Sequence, residues 1–542
     1  MEGEAKKYDL VILGASGFTG KYVIREALKF LNVPSSPLTS IALAGRNPSK
    51  IAQSLHWASP TTPLNPYPSS NPTSKTHLRF SHSATEPRLY GEPVVKACVE
   101  SGADYLDICG EPEFMERVEA AYHDRAVERG SLVVSACGFD SVPAELGFMF
   151  NTRQWESLAT PNWVEAYVGL ESEGRLVGNV GTYESAVLGV ANVEELVKLR
   201  RSRPRRARPS IPGPPPPKGP MVEKQKSIGL WAIKLPSADA TVVRRTLATL
   251  TENPNGLPGI NENEELIEQR RNFWSSVKPA HFGVKIGSKS LLGIARVIMT
   301  GIFIGLFGKF AFGRSLLLKF PEIFSLGWFR KTGPTEEEVS SASFKMWFVG
   351  FGFSDVSVAS QGNKKHDMEI ITRVSGPEIG YVTTPIILVQ CALILLNQRN
   401  NLPKGGVFTP GIVFGPTDLQ KRLQENGISF ELVQCCSTES TQINTPFGAK
   451  KWNNHLNYAG LFRASILDQL IENRKNFWSS VKPAHFGIKI GSKSLLDIAC
   501  FVITRLFISL FGTFHLGQSL LLKFPEMFSL GGLERQALLK KR

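Results

Sequence analysis

Along the first 150 residues, buried-looking apolar runs alternate with amphipathic stretches of helical period. Tyr8 to Leu13 predicts a buried strand, and a turn over Gly14 to Gly20 leads into a helix over Lys21 to Phe30. Ile41 to Ala44 predicts a second strand, closing on Gly45-Arg46. After an interruption the alternation resumes: helix Glu92–Ser101, strand Ala103–Cys109, helix Pro112–Arg129, strand Leu132–Ala136, then the turn Gly138–Pro143. Strands alternating with helices imply a parallel, doubly wound sheet over residues 1–150, of Rossmann-like α/β class.

The interruption spans 56–88 and is crowded with Pro, Ser, Thr and Asn. That composition predicts a loop or disordered insert, with His77 to Phe80 as its one short strand. Residues 151–435 form a second, α+β region. Within it, Ser202 to Pro220 predicts a semi-rigid Pro-rich linker, Trp231 to Thr251 alternating strands, and Ile386 to Leu396 a helix. The stretch 291–313 is the most apolar. Its uncharged part, Val297 to Gly308, has 12 residues, too few for a span of about 20. It reads as a buried core helix, or as an interfacial or re-entrant segment with Arg296 and Lys309 snorkelling at its ends.

A repeat then marks the C-terminal tail, 436–542. IEQRRNFWSSVKPAHFGVKIGSKSLL from Ile267 returns nearly unchanged from Ile471, and SLLLKFPEIFSLG (Ser315–Gly327) returns from Ser519. The tail thus carries a partial copy of 267–327, with Arg505 where the first copy has Gly301. It reads as a partial duplication or misjoined gene segment and is assigned no function.

The 542 residues carry a net charge of +14, and six arginines fall between Arg200 and Arg208. With no aromatic residues among them, nucleic acid is not the expected partner; an anionic lipid surface or a solvated linker is. Seven scattered cysteines make no disulfide framework and fit a reducing compartment. The acidic start leaves no clear transit peptide. The nine histidines show no metal spacing, so no metal site is expected.

The chemistry centres on Gly14-Ala15-Ser16-Gly17-Phe18-Thr19-Gly20. Gly14 permits the tight turn, Gly17 lets a pyrophosphate approach the backbone, and Gly20 lets the helix pack on its strand. The next strand ends in Ala-Gly-Arg rather than in the acid that would bind the ribose of NAD. Arg46 would accept a 2′-phosphate, so NADP is the expected cofactor over NAD, with Lys50 in support. Tyr105, Asp107, Glu111 and Asp140 lie at the ends of later strands, where ligands of such sheets bind. They are substrate or nicotinamide contacts, or simply caps and turns. The catalytic proton donor is not legible.

These motifs, with LYGEPVVKACVESGADYLDICGEPEF (Leu89–Phe114), GFDSVPAELG, GTYESA (Gly181–Ala186), RVSGPEIGYVTTP (Arg373–Pro385) and LPKGGVFTPG (Leu402–Gly411), resemble the saccharopine dehydrogenase-like oxidoreductases over about residues 8–435. The Pro-rich insert resembles the plant branch. The resemblance implies an NADP-dependent oxidoreductase acting on a hydrophobic or lipid-related substrate, in lipid or glycolipid metabolism. It implies a place at a membrane, at a lipid droplet or on the cytoplasmic face, with the mitochondrion as alternative. A catalytically impaired, membrane- or droplet-associated protein is the second reading, and a true lysine-pathway saccharopine dehydrogenase the third. One departure motivates the second: the family's strand before LYGEP is expected to be missing here, costing the parallel sheet a central strand beside the cofactor unless the 56–88 segment substitutes.

Overall fold

The computed structural model describes residues 8–60, 80–82, 91–156, 158–234, 237–360 and 365–437, all within one compact unit, Met1–Asn444. The tail 438–542 and most of the insert lie outside the described residues.

The N-terminal part runs β1 (Leu10–Leu13), α1 (Phe18–Leu28), β2 (Ile41–Ala44), α2 (Pro48–Ala58), β3 (Phe80–His82), α3 (Glu92–Ser101), β4 (Tyr105–Asp107), α4 (Pro112–Arg129), β5 (Leu132–Val134) and α5 (Val142–Thr152). The middle follows with β6 (Thr160–Ser172), β7 (Gly178–Asn179), α6 (Val180–Ala191), α7 (Val193–Ser202), β8 (Val222–Gln225), β9 (Leu230–Lys234), α8 (Ala238–Glu252), α9 (Glu264–Ser276) and β10 (His281–Ser288). Next come α10 (Leu291–Phe307), α11 (Ala311–Lys319), α12 (Pro321–Phe324), β11 (Phe329–Arg330), α13 (Glu336–Ser340), β12 (Ala342–Phe353), α14 (Val356–Ser360) and β13 (Met368–Pro377). A π-type turn, Ile379–Thr383, opens α15 (Thr384–Gln398), and β14 (Gly406–Phe408), α16 (Pro410–Phe414), α17 (Leu419–Glu425) and β15 (Ser429–Ser437) complete the chain.

The first sheet has the order β2-β1-β3-β4-β5-β14, and every pair in it is parallel. This is the α/β, doubly wound arrangement with helices on its faces. The expected loss of a central strand does not occur. Phe80–His82 fills that position, in register with both neighbours (Val11↔Phe80↔Tyr105 through Leu13↔His82↔Asp107). Without it, the facing backbone groups of β1 and β4 would have no partners. Three residues suffice because β4 and β5 are themselves three long. The sixth strand, β14, comes from beyond residue 400.

The second sheet, β15-β13-β12-β6-β10-β9-β8, is antiparallel except for β10 on β6. Helix α5 leaves the first sheet and lies on this one. Asn151 on its buried face donates to the carbonyls of Phe348 (3.2 Å) and Ile370 (3.1 Å). The long apolar stretch Ile379–Asn401 is mostly buried within the fold, as a core helix is.

One sequence expectation changes here. Trp231 to Thr251 is not all strand: β9 ends at Lys234, and a 15-residue helix follows. Ser237 caps that helix, its hydroxyl accepting from the Asp239 N–H (3.1 Å), and Val242, Val243, Thr246 and Leu247 recur on its buried side. Helical spacing outweighs the β-branched composition. Half of the arginine run is ion-paired, while Arg201, Arg205 and Arg208 stay exposed. Arg200 pairs with Glu116, Arg203 and Arg206 with Glu119, and Arg206 also with Glu252. Burial alone would raise the Glu119 carboxyl, but Arg245, Arg206 and Arg203 together hold it below the usual range. The Pro-rich segment that follows is docked on the second sheet, where the Asn162 amide donates to Pro212 O (2.7 Å) and Pro214 O (3.0 Å).

Candidate functional site

The glycine turn is built by three backbone bonds. The N–H groups of Gly14 and Ala15 reach Ala44 O (3.0 and 3.2 Å), and Gly17 N–H reaches Gly14 O (2.8 Å). Gly14 sits at φ +83°, where a side chain would be strained. Gly17 caps α1 with no side-chain bond, and the first turn holds no acid, so the helix's N–H groups and positive dipole end can take an anion. Gly20 is buried at the helix–sheet contact, as Ala15 is; Ser16 and Thr19 are half-buried. A Cβ on Gly45 would lie 3.3 Å from Ser16 Oγ, so the end of β2 runs close beside the turn. Arg46 and Lys50 are both exposed at this end, on the loop and first turn into α2. These residues fit the diphosphate of a dinucleotide. Phe18 faces the other way, its ring edge-on to Tyr381 at 4.9 Å.

The other predicted residues separate by depth. Tyr105 is fully buried in the sheet's core. Asp107 is buried too, its Oδ1 accepting from the N–H groups of Cys109 and Ala136 (2.9 Å each), which ties the end of β4 to that of β5. Burial raises its carboxyl, and those donors only partly offset the rise. Glu111 stands at the N-cap position of α4 without a side-chain cap bond and accepts from Ser185 Oγ of α6 (3.2 Å). Asp140 alone of the four keeps solvent contact. It lies so close over Gly110 that a Cβ there would be 2.7 Å from its Oδ2. Crowding by protein pushes the Asp140 carboxyl above the ordinary aspartate range.

Behind Asp140 stand two further acids that the sequence reading missed. Asp239, at the start of α8, accepts from Ser237 Oγ (2.7 Å) through Oδ2, while its buried Oδ1 has no hydrogen-bond partner among the described residues. Burial, then the charges of Asp140 and Glu145, push it well up. Glu145, on α5, is pushed up to about 7 by burial, although Thr246 and the Gly411 N–H (2.8 Å) bond to it. Also missed was the belt from beyond residue 370. Tyr381 Oη accepts from the Asn179 N–H (2.7 Å), Glu378 accepts from the Gly380 N–H (2.8 Å), and Thr384 Oγ1 accepts from the Phe139 N–H (3.1 Å). The Tyr381–Asn179 and Thr384–Phe139 partners lie more than two hundred residues apart, so no local spacing could reveal them. Among the described residues no group of His, Cys, Asp or Glu could hold a metal ion.

Over 447 residues the chain is 65% identical to the probable mitochondrial saccharopine dehydrogenase-like oxidoreductase of Arabidopsis thaliana, a match covering 80% of this chain and 98% of that one. The chain belongs to the saccharopine dehydrogenase-like oxidoreductases. A Rattus norvegicus saccharopine dehydrogenase-like oxidoreductase is 36% identical over 451 residues (80% and 99% covered). The lipid droplet localized protein of Caenorhabditis elegans is 30% identical over 456 residues (79% and 98%). Among solved structures, apo saccharopine dehydrogenase (L-Glu forming) of Saccharomyces cerevisiae aligns with a TM-score of 0.40 at 10% identity, covering 78% of this chain and 99% of that one. No family model matches. In this member of the saccharopine dehydrogenase-like oxidoreductases, the stretches that carried the resemblance converge in space. GFDSVP supplies Asp140, GTYESA supplies Ser185, and the segment from Arg373 supplies the Glu378–Thr384 belt.

Proposed function

We propose that this protein is an NADP-dependent reductase that delivers hydride to a hydrophobic, lipid-related substrate. The observation that carries the cofactor choice is Arg46, exposed where β2 ends beside the glycine turn, at the place where an NAD-binding strand carries an acid. The Gly14–Gly17 backbone and the N-terminus of α1 would hold the diphosphate, and Arg46, with Lys50, the 2′-phosphate. The bound nicotinamide supplies the hydride. Asp140 is the group placed to exchange the accompanying proton, since it is the one exposed acid of the four predicted residues and lies against Gly110. Glu111 and Ser185 fix the wall beside it.

For the substrate class, the support is the apolar 291–313 region and the printed name of the C. elegans relative. The same support favours a membrane or lipid-droplet location, with the mitochondrion of the Arabidopsis name as the alternative.

A fluorescence titration with NADPH, with NADH as comparison, tests the reading. NADPH should bind more tightly. Arg46→Asp should weaken NADPH about 10–100-fold, the worth of a charge-assisted phosphate contact, and leave NADH nearly unchanged. Gly14→Val should abolish both. No saturable binding by the wild-type chain refutes the proposal.

A further inference from the structure

One corner of the molecule exposes large apolar side chains that a soluble surface normally hides. Phe310 and Phe312 are each 53% exposed and Ile323 59%, with Leu306 and Phe320 beside them in sequence and also exposed. A loose loop is not the cause, because the corner is firmly built. Phe307, Leu317 and Phe324 anchor it inward, and Arg314 ties back to the carbonyls of Gly308 and Lys309 (3.2 Å each) at the end of α10. Gly313 packs so tightly on α10 that a Cβ would sit 2.2 Å from Phe307 O.

The corner's own sequence is mostly basic, although Lys289 pairs with Glu171 and Arg330 with Glu338. From Lys289 to Lys331 the chain carries seven Lys or Arg residues and a single acid, Glu322. Lys309 and Lys319 are exposed among the apolar side chains. Aromatic and aliphatic side chains interleaved with lysines suit the headgroup–acyl boundary of an anionic bilayer, where the chains insert and the ammonium groups stay at the phosphates. A second copy of the same face would bring like charges together.

The corner also connects, through α6, to residues of the candidate site. Gly308 packs on α6, where a Cβ would meet Val190 Cγ1 at 3.4 Å and Val187 O at 3.5 Å. The N-cap of α6 is Asn179, bonded to Tyr381, and its middle carries Ser185, bonded to Glu111.

We propose that the α10–α12 corner is a docking face for an anionic phospholipid surface. Docking there would hold the candidate site on the side of α6 away from the lipid phase that supplies its hydrophobic substrate. The last step rests on the function proposed above; the docking itself does not.

Flotation of the full chain with vesicles tests it, using phosphatidylcholine mixed with phosphatidylserine and phosphatidylcholine alone. The wild-type chain should float with the mixed vesicles, less so at high salt, and poorly with phosphatidylcholine. F310S/F312S should weaken that binding roughly tenfold or more. K309E/K319E should remove the preference for phosphatidylserine. NADPH titration of the same variants should be unchanged, which also shows that they fold. Undiminished flotation of F310S/F312S overturns the proposal, as does a variant that changes only the oligomeric state, which would make a second copy the occupant. A chain that binds NADPH but floats with neither vesicle refutes the docking face alone. One that floats but binds no NADPH refutes the cofactor reading alone.

Discussion

Glu145 is the residue whose charge should be felt in the stability of the whole unit. In the unfolded chain it titrates near 4.5, and in the fold near 7, because burial disfavours its carboxylate. A raised folded-state pKa contributes stability that is fully present below about 4.5 and is lost as pH climbs through about 7. The loss approaches ~1.4 kcal/mol per pH unit in that window, on the order of 3 kcal/mol in all. Glu145→Gln keeps an acceptor for the Gly411 N–H and carries no charge at any pH, so this part of the slope should vanish. Urea denaturation at pH 5 and pH 8 checks it: the wild-type chain should lose more stability between the two than the variant. Equal losses would mean that Glu145 does not titrate there. At this scale the sequence was partly legible. Gly14 could be read because a backbone requirement leaves a residue-type signature. Tyr105 and Asp107 could not be sorted from Asp140, since all three sit near strand ends and only depth separates them. Asp239 and Glu145 gave no signal, because their meaning lies in their distance from one another.

Single elements depend on similar local details. Strand β3 is three residues inside a window whose composition is that of a loop, and the short strand expected at His77 to Phe80 overlaps it only at Phe80. What reveals it is the vacancy it fills between β1 and β4. Helix α8 was misread for the opposite reason: its valines and threonines suit a strand, but their spacing and the Ser237 cap make a helix. Helix α5 carries an element-scale prediction. Gly147 faces β12 so closely that a Cβ would stand 2.1 Å from Phe348 Cζ. Phe348 is fully buried and has no space into which to swing. Gly147→Ala, an ordinary gain in helix propensity elsewhere, should here cost about 1–3 kcal/mol through overpacking. The urea midpoint should fall with little change in slope. A midpoint at or above the wild-type value would mean that α5 does not lie on β12 as described.

On the scale of the whole molecule, the chain closes both sheets late. β14 completes the parallel sheet from Gly406–Phe408, and β15 completes the mixed sheet by pairing Ser429–Ser437 with β13. Sequence order suggested two regions in succession, whereas the last third of the described chain returns to both sheets. Parallel pairing over such separations leaves no local trace in sequence. This arrangement fixes where the chain can be cut. Residue 444 lies just past β15, and the Arabidopsis relative is matched over 98% of its own length without needing the whole of this chain. Residues 1–444 alone should therefore melt near the temperature of the full chain and bind NADPH with the same affinity. A chain ending at residue 428 should fail, because it strips the partner from β13 and exposes an edge ladder and the apolar face behind it. Thermal melting of the two truncations beside the full chain decides the point. If the 1–444 chain also failed, the tail would have to supply part of the fold's stability, and its repeated sequence would have a structural role.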